Sequence, residues 1–381
     1  MQVESAWVEA SKKALVDNQT AAGSFVASPD FSQYRFCWLR DSSFVAYAAD
    51  RVALGHLSAA YQEWATRAVL GVGHLMEDAI RAHRRGELLD DALPPARFTL
   101  EGDVVDDDWP NFQLDGYGLW LWSLHHHLAS AGASPSASML DAVRITASYL
   151  SELAVEPCFD VWEMHPTAVH TSTLAGVAAG LRAAGELLEE EPWLARSAEL
   201  VGNLRKMAAT TGRFVKSTES DQVDASALWL AHPLDLVPTG DPLLVTTVRA
   251  VEDALLLDGG VRRFPDDTYY GGGAWPVLTS TLASCRLRLG DRAQAEEHLQ
   301  WIEGHFDGSR LGEQFGGESQ NPAMHDRWVR EWGPPARELV WSHAMHLLLA
   351  AELSSTEPLD SATAPSSTRP KVEENALGRR G

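Results

Sequence analysis

Apolar residues recur through most of the chain at intervals of three and four positions, the spacing that places them on one face of an α-helix. Alternation of apolar and polar residues, which is typical of strands, is short wherever it occurs. The pattern therefore predicts an all-α protein. The predicted helices cover residues 4–19, 41–55, 57–84, 116–131, 137–154, 167–188, 192–210, 224–231, 241–257, 275–289, 291–305 and 340–353.

The predicted connections between these helices alternate between short and long. Helices joined by a short loop run antiparallel as neighbours, so strict alternation brings the long loops to the same end of the molecule. Six helical hairpins closed in a ring would then form a toroid with one elaborated face. The long connections cover roughly residues 20–40, 85–115, 155–166, 211–223, 258–274 and 306–339.

The composition changes sharply near the end of the chain. Of the 381 residues, 45% are hydrophobic, enough to bury a large core. After Leu353 the sequence turns to Ser, Thr, Pro and charged residues, which are too polar to pack. We therefore predict one folded domain over 1–353 and a disordered tail over 354–381.

The net charge limits the classes of partner. At -22, the chain would be repelled by nucleic acid and by anionic membrane surfaces, so a neutral small molecule is the expected ligand. No apolar leader follows Met1, and no apolar run is long enough to span a membrane. Three widely spaced cysteines, Cys37, Cys158 and Cys285, lack metal-binding spacing. These features predict reduced thiols in a cytoplasmic protein.

The long connections hold most of the unusual chemistry: arginines, carboxylates, amides and many of the 14 tryptophans. Planar rings cover the apolar faces of a sugar, while Arg, Asp and Gln form hydrogen bonds to its hydroxyls. A single Trp is more often a core residue, but six aromatic-rich loops at one end favour a carbohydrate site.

Two glutamates are candidates for the chemistry of glycosidic cleavage, which needs one protonated and one ionised carboxyl group. Glu163 follows Trp162, and a carboxyl held against a ring loses water and favours its neutral form. Pro166 is placed to start the helix that follows. A helix-terminal Glu beside a core Trp is the simpler interpretation of this stretch alone. Glu313 lies in a different long loop, so the two can face each other.

Three other clusters of polar residues have more than one interpretation. Arg40 and Asp41 form either a structural ion pair or a ligand clamp. The run 106–108 of three aspartates is interpreted as a solvated acidic loop rather than a metal site or a terpene-cyclase motif. The three histidines at 125–127 fall in a predicted helix, where consecutive side chains point to different faces, so they cannot share one metal.

Five motifs in these loops carry a resemblance. They are Trp38-Leu39-Arg40-Asp41; Trp109 with Gln113-Leu114-Asp115-Gly116; Trp162-Glu163; Arg263-Phe264-Pro265-Asp266-Asp267-Thr268-Tyr269-Tyr270; and Glu313-Gln314-Phe315 with Val340-Trp341-Ser342-His343-Ala344. Together they resemble glycoside hydrolase family 15, the glucoamylase-like enzymes, from about Tyr34 to Leu353.

The resemblance implies an (α/α)6 barrel and an inverting mechanism, with Glu163 as general acid and Glu313 as general base. It also implies that Arg40 and Asp41 hold hydroxyls of the terminal glucose and that Arg263 is a substrate ligand. No metal or organic cofactor is expected, because two carboxyls suffice. The substrate-binding residues predicted from the rings and motifs are Tyr34, Trp38, Arg40, Asp41, Trp109, Gln113, Asp115, Trp162, Arg263, Asp267, Tyr270, Trp275 and Trp341.

The departures from the family pattern concern the substrate. Many fungal members carry a second Glu directly after the acid, whereas this chain has Met164. The N-terminal β-sandwich of many bacterial members and the starch-binding module of some secreted ones are not present in the sequence. We therefore expect an exo-acting hydrolase of short α-glucosides such as isomaltose or maltose. The alternatives are a trehalase of the same family, a catalytically silent glycan-binding toroid and, more remotely, a terpene cyclase.

Overall fold

The structure is a computed structural model, and it describes residues 5–87 and 93–355. Its α-helices are α1 (Ala6–Asp17), α2 (Leu39–Arg51), α3 (Gly55–Gly71), α4 (Gly73–Arg84), α5 (Asp115–Ala131), α6 (Ala137–Leu153), α7 (Thr171–Leu188), α8 (Glu191–Ala208), α9 (Pro242–Leu255), α10 (Pro276–Arg288), α11 (Arg292–Glu303), α12 (Gly317–Gln320), α13 (Pro322–Trp332) and α14 (Val340–Ser354).

Short 3-10 helices and strands complete the described elements. The 3-10 helices are Ser32–Tyr34, Ala225–Leu230 and Tyr269–Gly271. Two antiparallel pairs of two-residue strands join the loops: β1 (Cys37–Trp38) with β2 (Arg97–Phe98), in the register Cys37 to Phe98, and β3 (Leu256–Leu257) with β4 (Gly260–Val261), in the register Leu256 to Val261.

Six helical segments form a closed inner ring. In order around the ring, α2, α5, α7, the 3-10 helix Ala225–Leu230, α10 and α14 each pack against the next, and α14 packs back against α2. The first five inner segments each pack against the outer helix that follows in the chain, namely α3, α6, α8, α9 and α11, whereas α14 packs against α1 from the other end of the chain. This arrangement confirms the predicted all-α (α/α)6 barrel.

The inner and outer helices differ in the pattern of their apolar residues. Every residue of α14 from Val340 to Ala350 is buried, as expected of a helix that is apolar all round. Helix α8 buries only Ser197, Leu200, Leu204 and Ala208, a single stripe at intervals of three and four. The inner ring is therefore surrounded by protein, whereas each outer helix keeps one polar face in water.

Three glycines allow α5 and α7 to approach closely. A Cβ atom added to Gly118 would lie 2.3 Å from the carbonyl oxygen of Gly176, and one added to Gly180 would lie 2.5 Å from the Cα of Gly118. Neither position can accept a side chain without moving the backbone. These two inner helices are consequently in backbone contact.

Four element predictions were wrong in detail. The single helix over 57–84 is broken at Val72, because a glycine on each side weakens the helix there. The segment 224–231 is a 3-10 helix. The long connection 306–339 contains α12 and α13. Helix α7 begins at Thr171, four residues after Thr167, so Pro166 lies in the preceding turn and does not start it.

The predicted tail, 354–381, lies outside the described residues from position 356 onward, and α14 itself ends at Ser354. Within 5–87 and 93–355, no helix is long and apolar enough to cross a membrane.

Candidate active site

An inner cavity of about 60 Å³ lies at the end of the barrel that carries the long connections. Ala27, Val161 and Leu339 contribute apolar wall to it. Its other lining residues are all residues that the sequence predicted for the site: Tyr34, Trp38, Arg40, Asp41, Trp162, Glu163, Arg263, Trp275, Glu313 and Trp341. The structure therefore brings together, from four long connections and the helix starts that follow them, the two candidate carboxyls and most of the predicted ligands.

A larger outer cavity of about 390 Å³ adjoins the inner one. The two share Tyr34, Trp162, Glu163 and Arg263 as lining residues, so the outer cavity is the approach to the inner. Two further predicted residues, Trp109 and Tyr270, line only the outer cavity, together with Met164, Trp328 and Trp332. The remaining predicted residues, Gln113, Asp115 and Asp267, line neither cavity.

A tight turn from Asp160 to Met164 presents Glu163. One Asp160 carboxylate oxygen accepts hydrogen bonds from the backbone N–H groups of Trp162 (3.0 Å) and Met164 (2.9 Å). The N–H of Glu163 donates to the Asp160 carbonyl at 2.8 Å. Glu163 itself has a φ of 63°, which a residue with a side chain rarely adopts. The hydrogen bonds to Asp160 offset the energetic cost of this backbone conformation. Backbone strain of this kind is concentrated at functional sites.

One oxygen of Glu163 collects all of its hydrogen bonds. Oε1 accepts from the indole N–H groups of Trp38 (2.7 Å) and Trp109 (3.0 Å) and from the Gln113 amide (3.1 Å), and Arg40 Nη2 lies 3.7 Å away. An oxygen surrounded by donors cannot hold a proton as well, so a proton on this carboxyl would sit on Oε2.

Trp162, which the sequence placed against the Glu163 carboxyl, makes a different polar contact. Its indole N–H donates to Asp224 at 2.9 Å. The Lys216 ammonium joins Asp224 (2.9 Å) to Asp160 (3.3 Å), and all three charged groups are buried. This charged cluster ties the Glu163 turn to the connection 211–223. Sequence reasoning missed Lys216, because no local pattern marks it.

Glu313 is nearly inaccessible to water, with 1% of its surface exposed. Its Oε1 accepts a hydrogen bond from the Tyr34 hydroxyl at 2.9 Å, and that hydroxyl is 2.8 Å from the hydroxyl of Tyr269. Burial raises the pKa of Glu313 to about 7, while the Tyr34 bond and the charge of Arg263 oppose the increase. Burial and the Glu313 charge raise the pKa of Tyr34 well above its usual value, so the phenol remains a donor.

Arg40 and Asp41 lie side by side in the first turn of α2. Arg40 Nη1 donates to Gln113 Oε1 at 2.9 Å and lies 3.3 Å from Asp115, which is fully buried. Gln113 and Asp115 therefore hold Arg40 from behind. Arg40 Nε lies 3.3 Å from Asp41 Oδ2, so the two side chains form an ion pair, although neither atom makes a hydrogen bond within the described residues. Burial raises the pKa of Asp41 to about 6, and Arg40 opposes that rise.

Arg263 is fixed in the same way by Asp267. Two parallel hydrogen bonds, of 2.7 and 2.5 Å, join the guanidinium to the Asp267 carboxylate. The guanidinium carbon also lies 5.0 to 5.2 Å from the ring centres of Tyr269, Trp162 and Trp275. An arginine that is paired and enclosed by rings has little conformational freedom. The guanidinium of Arg263, which lines both cavities, is therefore held in a fixed direction.

Several contributing residues had not been predicted as site residues. Tyr269 adjoins the predicted Tyr270, so the motif itself could have indicated it. Arg97 stands over the Trp109 ring, 3.6 Å from its centre, and pairs with Asp107. Its position depends on the pairing of β1 with β2, which the sequence pattern did not reveal. The residues 106 and 108 are exposed, as predicted for a solvated acidic loop.

Comparison with known proteins identifies the family of this chain. The family model for glycosyl hydrolases family 15 matches residues 7–352. The chain belongs to this family. The match includes α1, which lies before the start of the resemblance drawn from the motifs. The chain is accordingly a glycoside hydrolase, and its barrel is the glucoamylase-like one.

Individual family 15 relatives agree. An isomaltose glucohydrolase of Kribbella flavida is 35% identical over 91% of this chain and 92% of its own length. A glycosidase variant solved in complex with glucose is 33% identical, with a TM-score of 0.85 over 91% of this chain and 96% of that one. A glucoamylase from Saccharomycopsis fibuligera, at 14% identity and a TM-score of 0.66 over 91% of this chain and 94% of that one, shares the fold.

No group of three or more His, Cys, Asp or Glu side chains within 5–87 and 93–355 is arranged to hold a metal ion.

Proposed function

We propose that this family 15 hydrolase is an exo-acting, inverting α-glucosidase that releases β-glucose from isomaltose and related short α-glucosides. The observation that carries the proposal is the joint position of Glu163 and Glu313 in the wall of a cavity that has a closed end. Below that cavity, Trp341 stacks on Phe44 with ring centres 5.2 Å apart, and Trp229 packs against both. A chain end fits such a site, whereas the middle of a polymer does not.

The inner cavity would hold the non-reducing glucose. Arg40, Asp41 and Arg263 supply fixed donors and acceptors for its hydroxyls, and Trp38, Trp275 and Trp341 supply ring surface. Oε2 of Glu163, the oxygen on which the proton would sit, gives that proton to the glycosidic oxygen as the bond from that oxygen to C1 breaks. A water held by Glu313 attacks C1 from the opposite face, and Glu313 takes the proton that the water loses.

The raised pKa of Glu313, about 7, suits a base that works near neutrality. A carboxylate with a higher pKa would be protonated for too much of the time, and one with a lower pKa would accept the proton of the water less readily. Solvent exchange through the outer cavity then returns the proton from Glu313 and reprotonates Glu163. The cycle therefore balances without a metal or an organic cofactor.

The outer cavity would hold the second sugar. Met164 stands there where fungal members carry a second Glu, and Trp109, Trp328 and Trp332 provide apolar surface. This favours contact with a sugar face over hydrogen bonding to its hydroxyls. The 35% identity to an isomaltose glucohydrolase supports isomaltose among the short glucosides. All three cysteines are buried free thiols, which fits the cytoplasmic location that we propose.

Proton NMR of fresh reactions tests this function. The substrates are isomaltose, maltose, kojibiose, nigerose and trehalose, and the signal followed is the anomeric proton of released glucose before it mutarotates. We expect early β-glucose, fastest from isomaltose. Early α-glucose would overturn the inverting mechanism. Fastest release from trehalose would identify a trehalase, and no release from any sugar would leave a glycan-binding toroid.

A further inference from the structure

The loop that carries Glu313 is attached to α14 by two side chains. The Ser342 hydroxyl donates to the Gly312 carbonyl at 2.9 Å, and the backbone N–H of Leu311 donates to His343 Nε2 at 3.1 Å. Leu311 and Gly312 are the two residues directly before Glu313. Together with the hydrogen bond from the Glu313 N–H to the Ala336 carbonyl (3.0 Å), these contacts with α14 set the position of the Glu313 backbone along the cavity wall.

The Leu311 bond fixes the protonation of His343. Because a backbone N–H can only donate, Nε2 must be the unprotonated nitrogen, and a neutral imidazole then carries its hydrogen on Nδ1. Nδ1 lies 3.0 Å from the Ser11 hydroxyl, which accepts that hydrogen. Burial, with a smaller contribution from His346, lowers the pKa of His343 to about 3, so the ring stays neutral over the working range.

The arrangement continues one step further. Once Ser11 accepts from His343, its own hydrogen is free to donate to His346 Nδ1, 2.9 Å away. His346 then carries its hydrogen on Nε2, which lies 3.6 Å from a Glu303 carboxylate oxygen and makes no hydrogen bond within the part of the chain that the structure describes. Ser11, His343 and His346 are all completely buried. Donation therefore runs one way, from the Leu311 N–H of the Glu313 loop through His343 on α14 and Ser11 on α1 to His346 on α14.

We propose that His343 is a positioning residue for the general base, held in its accepting tautomer by Ser11 of the outer helix α1. The inference rests on the proposed function, because it assumes that Glu313 holds the attacking water. Loss of the acceptor leaves the Leu311 N–H buried and unpaired, so the loop shifts to find another partner. A displacement of about 1 Å at a catalytic group costs roughly 100-fold in rate.

Two substitutions of the same histidine separate positioning from packing. Gln places a polar atom near the Nε2 position and keeps an acceptor for Leu311, whereas Asn reaches only the Nδ1 position. We expect His343→Asn to lower kcat on isomaltose by roughly 10- to 100-fold with little change in KM. His343→Gln should recover most of that kcat, although both variants melt at a lower temperature than the wild type.

Ser11→Ala is a third variant, and it substitutes no residue that lines either cavity. It should lower kcat several-fold at unchanged KM. His298→Asn is the matched control, since His298 is also buried but bonds to the Gly259 carbonyl; it should lower the melting temperature and leave kcat alone.

Two results would overturn the positioning role: equal kcat in the Gln and Asn variants, or loss of kcat in the His298→Asn control in proportion to melting temperature. A wild-type protein that fails to hydrolyse any glucoside contradicts the proposed function instead. The two failures are therefore distinguishable.

Discussion

The inner and outer halves of the cavity are built on different principles. In the inner half both arginines are fixed from behind by buried partners, since Asp267 fixes Arg263 and Gln113 fixes Arg40. Part of the outer half is formed by rings on the short surface helix α13, none of whose residues is buried; Trp332 there is 44% exposed. We expect the inner half, with its directed polar groups, to carry the chemistry, and the exposed apolar rim to determine the choice of substrate.

The strongest test of the inner half is Glu313→Gln, which keeps the shape and removes the base. We expect kcat to fall by about 10³- to 10⁴-fold while isomaltose binding is retained, because general base catalysis contributes on this scale. The measurements are steady-state hydrolysis and calorimetric titration with isomaltose. Glu199→Gln, on the outer helix α8, is the matched control and should be fully active. A Glu313→Gln variant with nearly normal turnover would remove Glu313 from the mechanism.

The same substitution should stabilise the fold at high pH. The pKa of Glu313 is about 7 in the folded protein and has an ordinary value of 4.5, so the folded state binds more protons between these values. Stability from this group is complete below about pH 4.5 and is lost as the pH rises through 7. A shift of that size corresponds to about 3 kcal/mol. Glu313→Gln should thus gain stability over the wild type at pH 8 but not at pH 4.

Denaturant unfolding at the two pH values measures this difference. Glu199→Gln should show no pH-dependent gain. If Glu313→Gln changes stability equally at both pH values, the carboxyl is not held in a dehydrated site, and the contrast between the two halves of the cavity weakens.

The smallest expected effect concerns the outer half. Trp328→Ala should raise KM for isomaltose by roughly threefold to tenfold, the scale of one aromatic contact, with little change in kcat. The binding constant of free glucose, which we place in the inner half, should not change. Trp193→Ala, which removes another half-buried ring from α8, is the control. Weaker glucose binding in Trp328→Ala would show that the two halves are not independent.

Much of this contrast could be read from the sequence, and the reason is local. The motifs around Arg40, Glu163 and Arg263 place their side chains by turns and helix starts of a few residues, so their convergence followed from the loop alternation alone. Lys216 and Arg97 could not be found in this way, because Lys216 acts on the distant Asp160 and Arg97 is placed by the pairing of β1 with β2.

Element types failed for a similar reason. The segment Ala225–Leu230 has a helical apolar pattern but adopts a 3-10 helix between α7 and α10, where its neighbours in the ring and not its own propensity determine the geometry. Helix α13 lay within a stretch that reads as a loop, since its residues pack mostly on the rings of Tyr269 and Tyr270.

The stacked floor of Phe44, Trp229 and Trp341 also dictates the order of events in a turnover. Because these rings lie below the inner cavity, we expect both products to leave by the mouth that admitted the substrate, in single file. The sugar in the outer half must depart first, and the freed glucose leaves last. Glucose is therefore the product that returns to the empty site, so its accumulation competes directly with the next substrate and ties the rate of cleavage to how quickly the surroundings consume it.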